Sequence, residues 1–250
     1  MPKNFDLVKL LVITSCAGEK KYNPPNSAVA RDLDDLRLRQ NKEKELEAYR
    51  IKAKEMFISS QNQMIYEGLS YLTGKSQIEA DIAFVSSGYG FLKEDDYVVP
   101  YDINFSAMSK IALDKRSTFL KIHEEIYYAS KNYDLVFFLL ANEYIKVLKL
   151  PIILPENIKQ IFFISHSDEK LLPLSENVFI IPTGNEEASK FEVTPAELKG
   201  YIFRLVCQFC KSDSENTFEK IYNEPSFIKE IIRPQLKNSG GKAEQLGLFD

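Results

Sequence analysis

Short, uninterrupted runs of apolar residues constrain the fold of this chain more than any other feature. Each run is bounded by polar residues or proline, and most of the stretches between the runs have the apolar spacing of helices. Strands that are covered on both faces have this composition, whereas strands with one solvated face alternate apolar and polar residues. The sequence therefore predicts an α/β fold with a mainly parallel central sheet flanked by helices. The predicted strands are residues 7–14, 82–85, 135–140, 161–164 and 178–181.

The loops that follow three of these strands carry most of the candidate functional residues. They are residues 15–22, 86–102 and 142–144. Because parallel strands end along one edge of a sheet, where such sheets bind ligands, we expect the three loops to converge there. The candidate substrate-binding residues are Ser15, Cys16, Ser87, Gly88, Tyr89, Gly90, Pro100, Tyr101, Asn142, Glu143 and Tyr144.

The loop at residues 86–102 is the central one. Gly88 and Gly90 flank Tyr89, and glycine lets a ligand or a second backbone approach closely. Asp96 and Asp102 follow, so carboxylates and aromatic rings lie close together in the chain. An ordinary connection between a strand and a helix, built from common turn residues, explains the same composition.

Lys20 and Lys21 lie in the loop after the first strand, at the edge where α/β sheets usually bind ligands. We treat both lysines as candidate functional residues. A solvated pair of surface lysines explains them equally well, because charged residues are mostly exposed.

Three helical regions are predicted. Residues 31–72 read as a helix broken once, with charges of alternating sign, and residues 110–129 read as a second helix. A third begins at Thr194, which would cap it, with Pro195 at its first helical position, and ends near Ser212.

Cys207 and Cys210 lie in the third helix, one turn apart. One CxxC pair and the chain's two histidines are too few to make a four-ligand zinc site easy to assemble. We therefore predict that both cysteines are small core residues, and we expect no metal and no cofactor.

The composition narrows the classes of function. The 250 residues carry a net charge of −4, so the chain as a whole does not attract polyanions, and any nucleic-acid surface must be local.

No stretch approaches the ~20 apolar residues of a membrane helix, so we expect no membrane partner. Three cysteines form no disulfide framework and suit a reducing compartment, which predicts a cytoplasmic protein. Residues 13–16 resemble a lipoprotein cleavage box preceded by the apolar residues 10–12, but a first core strand explains the same apolar run.

Two blocks of sequence resemble the YaaA family of bacterial peroxide-stress proteins, which are reported to bind DNA. Residues 87–108, SGYGFLKEDDYVVPYDINFSAM, are similar to the family's YGLL-x-PxDxxxPYxxxM stretch, and residues 139–146, LLANEYIK, are similar to its LASNEYFK segment. A third block, residues 14–22, resembles the Cys-Ser-x-x-Lys start of related domains, including archaeosine synthase, which acts on a deazaguanine base in tRNA. The resemblance spans roughly residues 11–146 and implies a protein that acts on nucleic acid.

The C-terminal end differs in character from the rest. Residues 238–242, NSGGK, read as a flexible linker, which divides the chain into an α/β domain at 1–236 and a flexible tail at 237–250. The hexapeptide at the end, QLGLFD, closely resembles the QLxLF motif by which bacterial polymerases and repair proteins bind the DNA sliding clamp. The resemblance implies that the clamp-binding residues are Gln245, Leu246, Leu248 and Phe249. A tail that folds back onto its own domain is the alternative.

The two resemblances together imply a protein of base repair, base modification or foreign-DNA defence that is tethered to the sliding clamp. The enzymatic hypothesis is a DNA glycosylase, in which Tyr89 or Tyr101 stacks on a base that has left the helix and Asn142 reads its edge. The alternatives are a non-catalytic DNA-binding protein of oxidative stress and a tRNA deazaguanine-modifying enzyme.

The glycosylase hypothesis gives the charged residues of the loops catalytic roles. Asp96 or Asp102 would orient water or stabilise positive charge on the sugar. Lys20 or Lys21 would hold phosphate, or would attack as an amine if it is desolvated.

Overall fold

The computed structural model describes residues 6–16, 19–172, 175–212 and 216–238. Within these residues the strands are β1 (Val8–Ser15), β2 (Ile51–Lys52), β3 (Ile78–Ser86), β4 (Gly90–Lys93), β5 (Tyr97–Val98), β6 (Leu135–Leu139), β7 (Lys159–Ile164) and β8 (Val178–Pro182). Six of the described strands form the central sheet in the order β4-β3-β1-β6-β7-β8, and β2 pairs with β5 in a separate ribbon. Every neighbouring pair in the central sheet is parallel except β3 and β4.

Helices flank this sheet, which confirms the predicted α/β class. The described helices are α1 (Ala30–Asp34), α2 (Leu36–Glu45), α3 (Ala53–Met56), α4 (Ser60–Leu72), α5 (Lys110–Phe119), α6 (Ile122–Ser130), α7 (Asn142–Val147), α8 (Asn185–Lys190), α9 (Leu198–Ser212), α10 (Thr217–Asn223) and α11 (Phe227–Asn238). The predicted strands are observed close to their predicted positions. The apolar runs of β1, β3, β6 and β7 are buried, whereas β8, at the edge of the sheet, is mostly half-buried. β6, for example, is buried along its whole length, and the ring of Phe138 stacks on that of Phe162 with centroids 4.2 Å apart.

The order of the parallel strands creates one crevice at the carboxyl edge of the sheet. β1 lies between β3 and β6. The chain runs from β1 to β3 and then crosses β1 to reach β6, so the direction of progress reverses at β1. Ligands of open α/β sheets bind outside the carboxyl ends of the strands at such a reversal. In this protein the reversal lies between the carboxyl ends of β1 and β6.

Helices α4 and α9 pack closely beside this crevice. A Cβ atom on Gly200 of α9 would lie 2.6 Å from the carbonyl oxygen of Gln61 in α4, so only glycine lets the two backbones come so near. This contact fixes the first turn of α9, and with it the neighbouring Lys199, next to the first turn of α4.

The prediction of one helix, broken once, over residues 31–72 is wrong. The structure has α1, α2, α3 and α4 there, with strand β2 between α2 and α3. Asp35 separates the first two helices, because its carboxylate accepts a hydrogen bond from the Leu38 amide at 2.9 Å and caps α2. β2 forms because Ile51 pairs with Val98, a partner distant in sequence that overrides the helical spacing.

The other two predicted helices differ in their bounds. Residues 110–129 form α5 and α6, because Lys121 adopts the left-handed conformation, with φ of 50°, between them. Phe119, at the end of α5, is 53% exposed. α9 begins at Leu198 rather than Thr194, and the Glu197 carboxylate accepts hydrogen bonds from the Thr194 amide and hydroxyl in the preceding turn.

No helix in the described parts of the chain has the length and apolar character needed to cross a bilayer. The apolar run that resembles a lipoprotein signal, residues 10–13, is buried in β1 as a core strand. The predicted flexible tail at 237–250 falls almost entirely outside the described residues, which end at Asn238.

Candidate functional site

The carboxyl edge of the sheet brings the three predicted loops together around Cys16. This residue follows β1 directly, and its side chain is buried. The Tyr101 hydroxyl donates a hydrogen bond to the Cys16 sulfur at 2.9 Å, and the Tyr144 hydroxyl lies 3.2 Å from the same sulfur. Ser87 Oγ lies 3.9 Å away. Each loop thus contributes a side chain to one buried polar cluster.

The hydrogen bonds of this cluster have a defined direction. Ser86 Oγ accepts from the backbone amides of Gly88 at 3.2 Å and Tyr89 at 3.1 Å, so its own proton points to Tyr101 Oη, 2.8 Å away. Tyr101 in turn donates to Cys16. Burial, with the neighbouring thiol, raises the pKa of Tyr101 well above its ordinary value, which keeps this hydroxyl a neutral donor.

Arg116 of α5, which sequence reasoning missed, fixes the backbone of the central loop. Its guanidinium donates to the carbonyl oxygens of Ser87 at 3.0 Å and Gly88 at 3.2 Å, and it also pairs with Asp34. Arg116 is buried, and the planar guanidinium can serve several acceptors at once. The backbone of the loop between β3 and β4 is therefore held in place by the Arg116 side chain.

The remaining loop residues have structural contacts of their own. Gly90 has φ of +81°, and a Cβ there would lie 2.9 Å from the Leu120 carbonyl oxygen, so glycine is required. The Tyr89 ring is half-buried under the Arg39 guanidinium, 4.6 Å from its centroid, and desolvation raises the pKa of Tyr89 to about 12. Pro100 is buried, and its carbonyl oxygen accepts from the Ala28 amide at 2.9 Å.

Lys20 and Lys21 are placed differently from one another. The Lys20 ammonium lies over the Tyr101 ring, 4.6 Å from its centroid, next to the Cys16 cluster. Lys21 is exposed, with its ammonium 5.6 Å from the centroid of the Tyr22 ring. Only the first of the two lysines therefore joins the cluster.

The structure does not place Asp96 or Asp102 in this cluster. Asp96 is exposed, and its carboxylate accepts from the Lys93 amide at 2.7 Å within the turn between β4 and β5. Asp102 is also exposed, and its backbone amide donates to the Ala28 carbonyl oxygen at 2.7 Å. Their catalytic roles remain predictions without a supporting contact.

A cavity of about 620 Å³ lies at the carboxyl ends of β1, β6, β7 and β8, which includes the crevice between β1 and β6. Among the predicted residues Ser15 and Asn142 line it, whereas Glu143 and Tyr144 do not. The lining is rich in hydroxyl and amide side chains. The lining residues are Ser15, Glu19, Ser59, Ser60, Gln61, Ala141, Asn142, Ser165, Ser167, Thr183, Gly184, Asn185, Pro195, Ala196 and Lys199.

A buried hydrogen-bond network fixes the wall of the cavity at β1 and β6. The Gln61 amide donates to Thr14 Oγ1 at 2.9 Å and to the Leu139 carbonyl oxygen at 2.8 Å. Thr14 Oγ1 donates in turn to the Asn62 side-chain oxygen at 2.9 Å. These contacts tie the first turn of α4 to the ends of both strands.

Among the residues that line this cavity, Lys199 has a pKa shifted far from its ordinary value. Its side chain is only 5% exposed, and its ammonium donates to the Leu140 carbonyl oxygen. Burial lowers the pKa of Lys199 to about 8, against the opposing charges of Asp168 and Glu143. A desolvated amine of this kind is a candidate nucleophile or proton carrier.

Sequence reasoning missed Lys199, although a signal was present. Lys199, Ile202, Phe203, Val206 and Cys210 are spaced so that they lie on one face of a helix, and all of them are buried. A lysine within an otherwise apolar helical stripe is rarely buried without a role.

Cys207 and Cys210 are buried in α9, as predicted for core cysteines. Burial raises the pKa of the Cys207 thiol well above its ordinary value, so it stays protonated. Across the described ranges no group of three or more His, Cys, Asp or Glu side chains is arranged to hold a metal ion.

No family model matches this sequence, and no curated protein matches it either. The clamp-binding residues predicted at the end of the chain, Gln245, Leu246, Leu248 and Phe249, lie outside the described residues. Both resemblances therefore remain predictions that depend on the quoted motifs.

Proposed function

We propose that this protein is a DNA-acting enzyme that excises a nucleobase, and that the cavity at the carboxyl edge of the sheet receives the nucleotide. The observation that carries this proposal is Lys199, a buried amine at this cavity with its pKa lowered to about 8. Pockets for small organic ligands have volumes of roughly 300–1,000 Å³, a range that includes this cavity. Its hydroxyl and amide side chains suit the polar edges of a base and a sugar.

The chemistry of the proposal follows from the amine. At pH 7 about one tenth of an amine with a pKa of about 8 is neutral, and so able to attack. Its lone pair forms a bond to C1′ of the nucleotide while the bond from C1′ to the base breaks. The base leaves with that bonding pair and takes up a proton. The bond from C1′ to the ring oxygen then breaks, the ring oxygen becomes a hydroxyl by taking up the remaining proton from the nitrogen, and an imine forms between C1′ and Lys199. Water hydrolyses the imine, which restores the Lys199 amine and leaves an aldehyde at C1′.

The proposal assigns the nucleophile to Lys199 rather than to Lys20 or Lys21. Nucleophilic lysines need desolvation to lower their pKa. Lys199 is buried, whereas Lys21 is exposed and Lys20 is only half-buried beside the Tyr101 ring. The proposal gives Lys20, whose ammonium lies over the Tyr101 ring, the role of contacting a phosphate group.

Reductive trapping tests this proposal. The full-length protein is incubated with DNA duplexes that each carry one modified base, in the presence of borohydride, which reduces an imine to a stable adduct. We expect a covalent protein–DNA adduct and release of the base for at least one duplex. Lys199→Met should lose both, whereas Lys146→Met, a change at an exposed residue of α7, should keep both.

The trapping experiment also has results that would contradict the proposal. DNA binding without base release or adduct, over the whole set of duplexes, would favour the non-catalytic oxidative-stress protein. An adduct that persists in Lys199→Met but disappears in Lys20→Met or Lys21→Met would restore the nucleophile predicted from sequence.

We also propose that the C-terminal hexapeptide binds the DNA sliding clamp. The proposal is supported by the match of Gln245, Leu246, Leu248 and Phe249 to the QLxLF motif. A short peptide with apolar anchor residues is suited to insertion into a pocket of a partner.

A tRNA base-modifying enzyme is the second candidate, and one observation favours it. Cys16 and Lys20, which both belong to the segment that resembles archaeosine synthase, contact the same residue, Tyr101. This candidate predicts tRNA processing that depends on Lys20 and is unaffected by loss of residues 239–250. Activity on DNA alone would exclude it.

A further inference from the structure

Two carboxylates lie close enough to Lys199 to act on its amine. Burial lowers the pKa of Lys199, whereas the negative charges of Asp168 and, to a smaller extent, Glu143 raise it. Both carboxylates belong to residues next to the cavity, because Asp168 follows the lining residue Ser167 and Glu143 follows the lining residue Asn142. The amine therefore has two proton acceptors in its surroundings.

Asp168 has the larger effect on the amine, and its contacts leave part of the carboxylate free. Its Oδ2 atom accepts a hydrogen bond at 2.8 Å from the hydroxyl of Ser165, which lines the cavity. Its Oδ1 atom makes no hydrogen bond with any described residue. The side chain is half-buried, so it is not enclosed in the core. A carboxylate with one free oxygen at the edge of a cavity can accept a proton from a bound substrate.

The other charged groups at the cavity are placed differently. Glu187 is buried at the β8 end, and one of its oxygens lies 3.4 Å from His166 Nε2. Glu19 lines the cavity but is exposed. Neither of these carboxylates is among the charges that shift the pKa of Lys199, so each acts on the amine less than Asp168 does.

We propose that this site has a second activity, the cleavage of a DNA strand at an abasic sugar, with Lys199 as the nucleophile and Asp168 as the base. The inference rests on the proposed function, because it uses the imine between Lys199 and C1′ of the sugar. Hydrolysis of that imine restores the amine and leaves the strand intact. Elimination from the same imine breaks the strand.

The elimination needs no reactant beyond the abasic sugar and water. The Lys199 amine condenses with the C1′ aldehyde to a protonated imine and releases water, and the positive nitrogen makes the hydrogens on C2′ acidic. Asp168 accepts one of these protons, and the electron pair of the C–H bond forms a double bond between C1′ and C2′ as the nitrogen recovers its lone pair. That lone pair then restores the imine, the C1′–C2′ pair moves to C2′–C3′, and the C3′–O bond breaks. The oxygen leaves with its bonding pair as the 5′ phosphate of the next nucleotide. Hydrolysis of the imine releases the unsaturated aldehyde and restores the amine.

Duplex DNA with one preformed abasic site tests this inference without any base excision. The full-length protein is incubated with the duplex and with a chelator, which suppresses metal-dependent nucleases. We expect strand cleavage, with an unsaturated aldehyde on one fragment and a 5′ phosphate on the other, both identified by mass. Borohydride should give a covalent adduct in place of cleavage. Lys199→Met should lose the adduct and the cleavage, whereas Lys146→Met, at an exposed residue, should keep both.

Asp168→Asn separates a base from a residue that only supports the fold. Loss of this negative charge lowers the pKa of Lys199 further, so more of the amine is neutral at pH 7. The adduct should therefore form at least as fast as with the original protein. Cleavage should nevertheless slow by about a hundredfold, within the range of general base catalysis. A damaged fold would slow both reactions. Glu156→Gln is the matched control, because Glu156 is exposed and precedes β7 at the opposite edge of the sheet, and it should change neither reaction.

Several results would overturn the inference: no reaction at the abasic site, an adduct without cleavage, cleavage that survives Lys199→Met, or cleavage that Asp168→Asn leaves unchanged. The proposed function fails separately. Cleavage at the abasic site by Lys199 and Asp168, without release of any modified base, would leave the second activity standing and remove base excision. Base release with an adduct at Lys199, but with an intact strand, would do the reverse.

Discussion

Replacing Lys199 by methionine tests the physical state of the amine directly. Methionine has similar length and flexibility but no charge. The fall of the pKa from 10.5 to about 8 measures how strongly folding disfavours the charged amine. At pH 7 this cost is about 3 kcal/mol. Methionine removes it but leaves the Leu140 carbonyl oxygen without its donor, which costs about 1–2 kcal/mol. We therefore expect Lys199→Met to exceed the original protein in stability by about 1–2 kcal/mol at pH 7.

The stability difference between Lys199→Met and the original protein should depend on pH. This dependence separates the cost of burying the charged amine from the cost of leaving the Leu140 carbonyl oxygen without a donor. In the unfolded chain the amine holds its proton up to its ordinary pKa of 10.5, whereas in the folded protein it loses the proton near pH 8. Below pH 8 both states are protonated, so the cost is present in full. Between pH 8 and 10.5 the unfolded chain binds more protons, so the original protein gains stability as pH rises. The cost of leaving the Leu140 carbonyl oxygen without a hydrogen-bond donor does not change with pH. The advantage of Lys199→Met should therefore shrink by about 1 kcal/mol from pH 7 to pH 9.

Urea unfolding followed by far-ultraviolet circular dichroism at pH 7, 8 and 9 measures this difference. Lys146→Met, at an exposed position of α7, serves as the control and should show no such change with pH. A stability difference for Lys199→Met that stays constant from pH 7 to pH 9 would refute the lowered pKa. So would a loss of more than about 2 kcal/mol at pH 7, because it would mean that the charged amine stabilises the fold.

Three further changes test other parts of the molecule. Gly200→Ala should destabilise the protein by about 1–3 kcal/mol, because the new methyl group would meet the Gln61 carbonyl oxygen at 2.6 Å. An unchanged urea midpoint would mean that α4 and α9 are not packed so closely. Tyr101→Phe should cost about 1–3 kcal/mol in thermal unfolding, because it removes a buried hydroxyl that contacts two other buried side chains. A neutral result would contradict the ordered hydrogen bonds of the Cys16 cluster. Leu248→Ala combined with Phe249→Ala should weaken binding to a bacterial sliding clamp at least about tenfold in fluorescence anisotropy, because both fill an apolar pocket if the resemblance holds. Equal binding by the original protein and the double variant would remove the clamp from the proposed function.

The parallel strands of the described sheet could be predicted because burial on both faces leaves a local trace, whereas β4, which lies within the predicted loop at residues 86–102, was missed. Phe137 and Phe138 of β6 point to opposite faces and are both fully buried, so no alternation with polar residues appears. The region of residues 31–72 could not be predicted in this way. Its strand β2 exists because Ile51 pairs with Val98, and spacing within a segment carries no information about a partner so far along the chain.

The residues of the candidate site could be predicted from sequence only where they come directly after a strand. Cys16 and Ser87 were found because they come directly after β1 and β3. Asp102 comes from the same loop as Tyr101, but neighbouring residues in an extended segment point in opposite directions, so one is exposed and the other buried.

The distribution of charge bears on how this protein would reach DNA. The net charge of −4 gives no long-range attraction to a polyanion. Two of the lysines nearest the central loop, Lys52 and Lys54, are each 2.9 Å from the Asp95 carboxylate, so they are already partly neutralised. A protein with a negative net charge and with surface lysines paired in this way should therefore bind DNA weakly by itself. If the C-terminal peptide holds it on the sliding clamp, the tether raises the local concentration of DNA without any basic surface. Base release should then depend strongly on the clamp at physiological salt and only weakly at low salt, where the remaining electrostatic attraction is strongest.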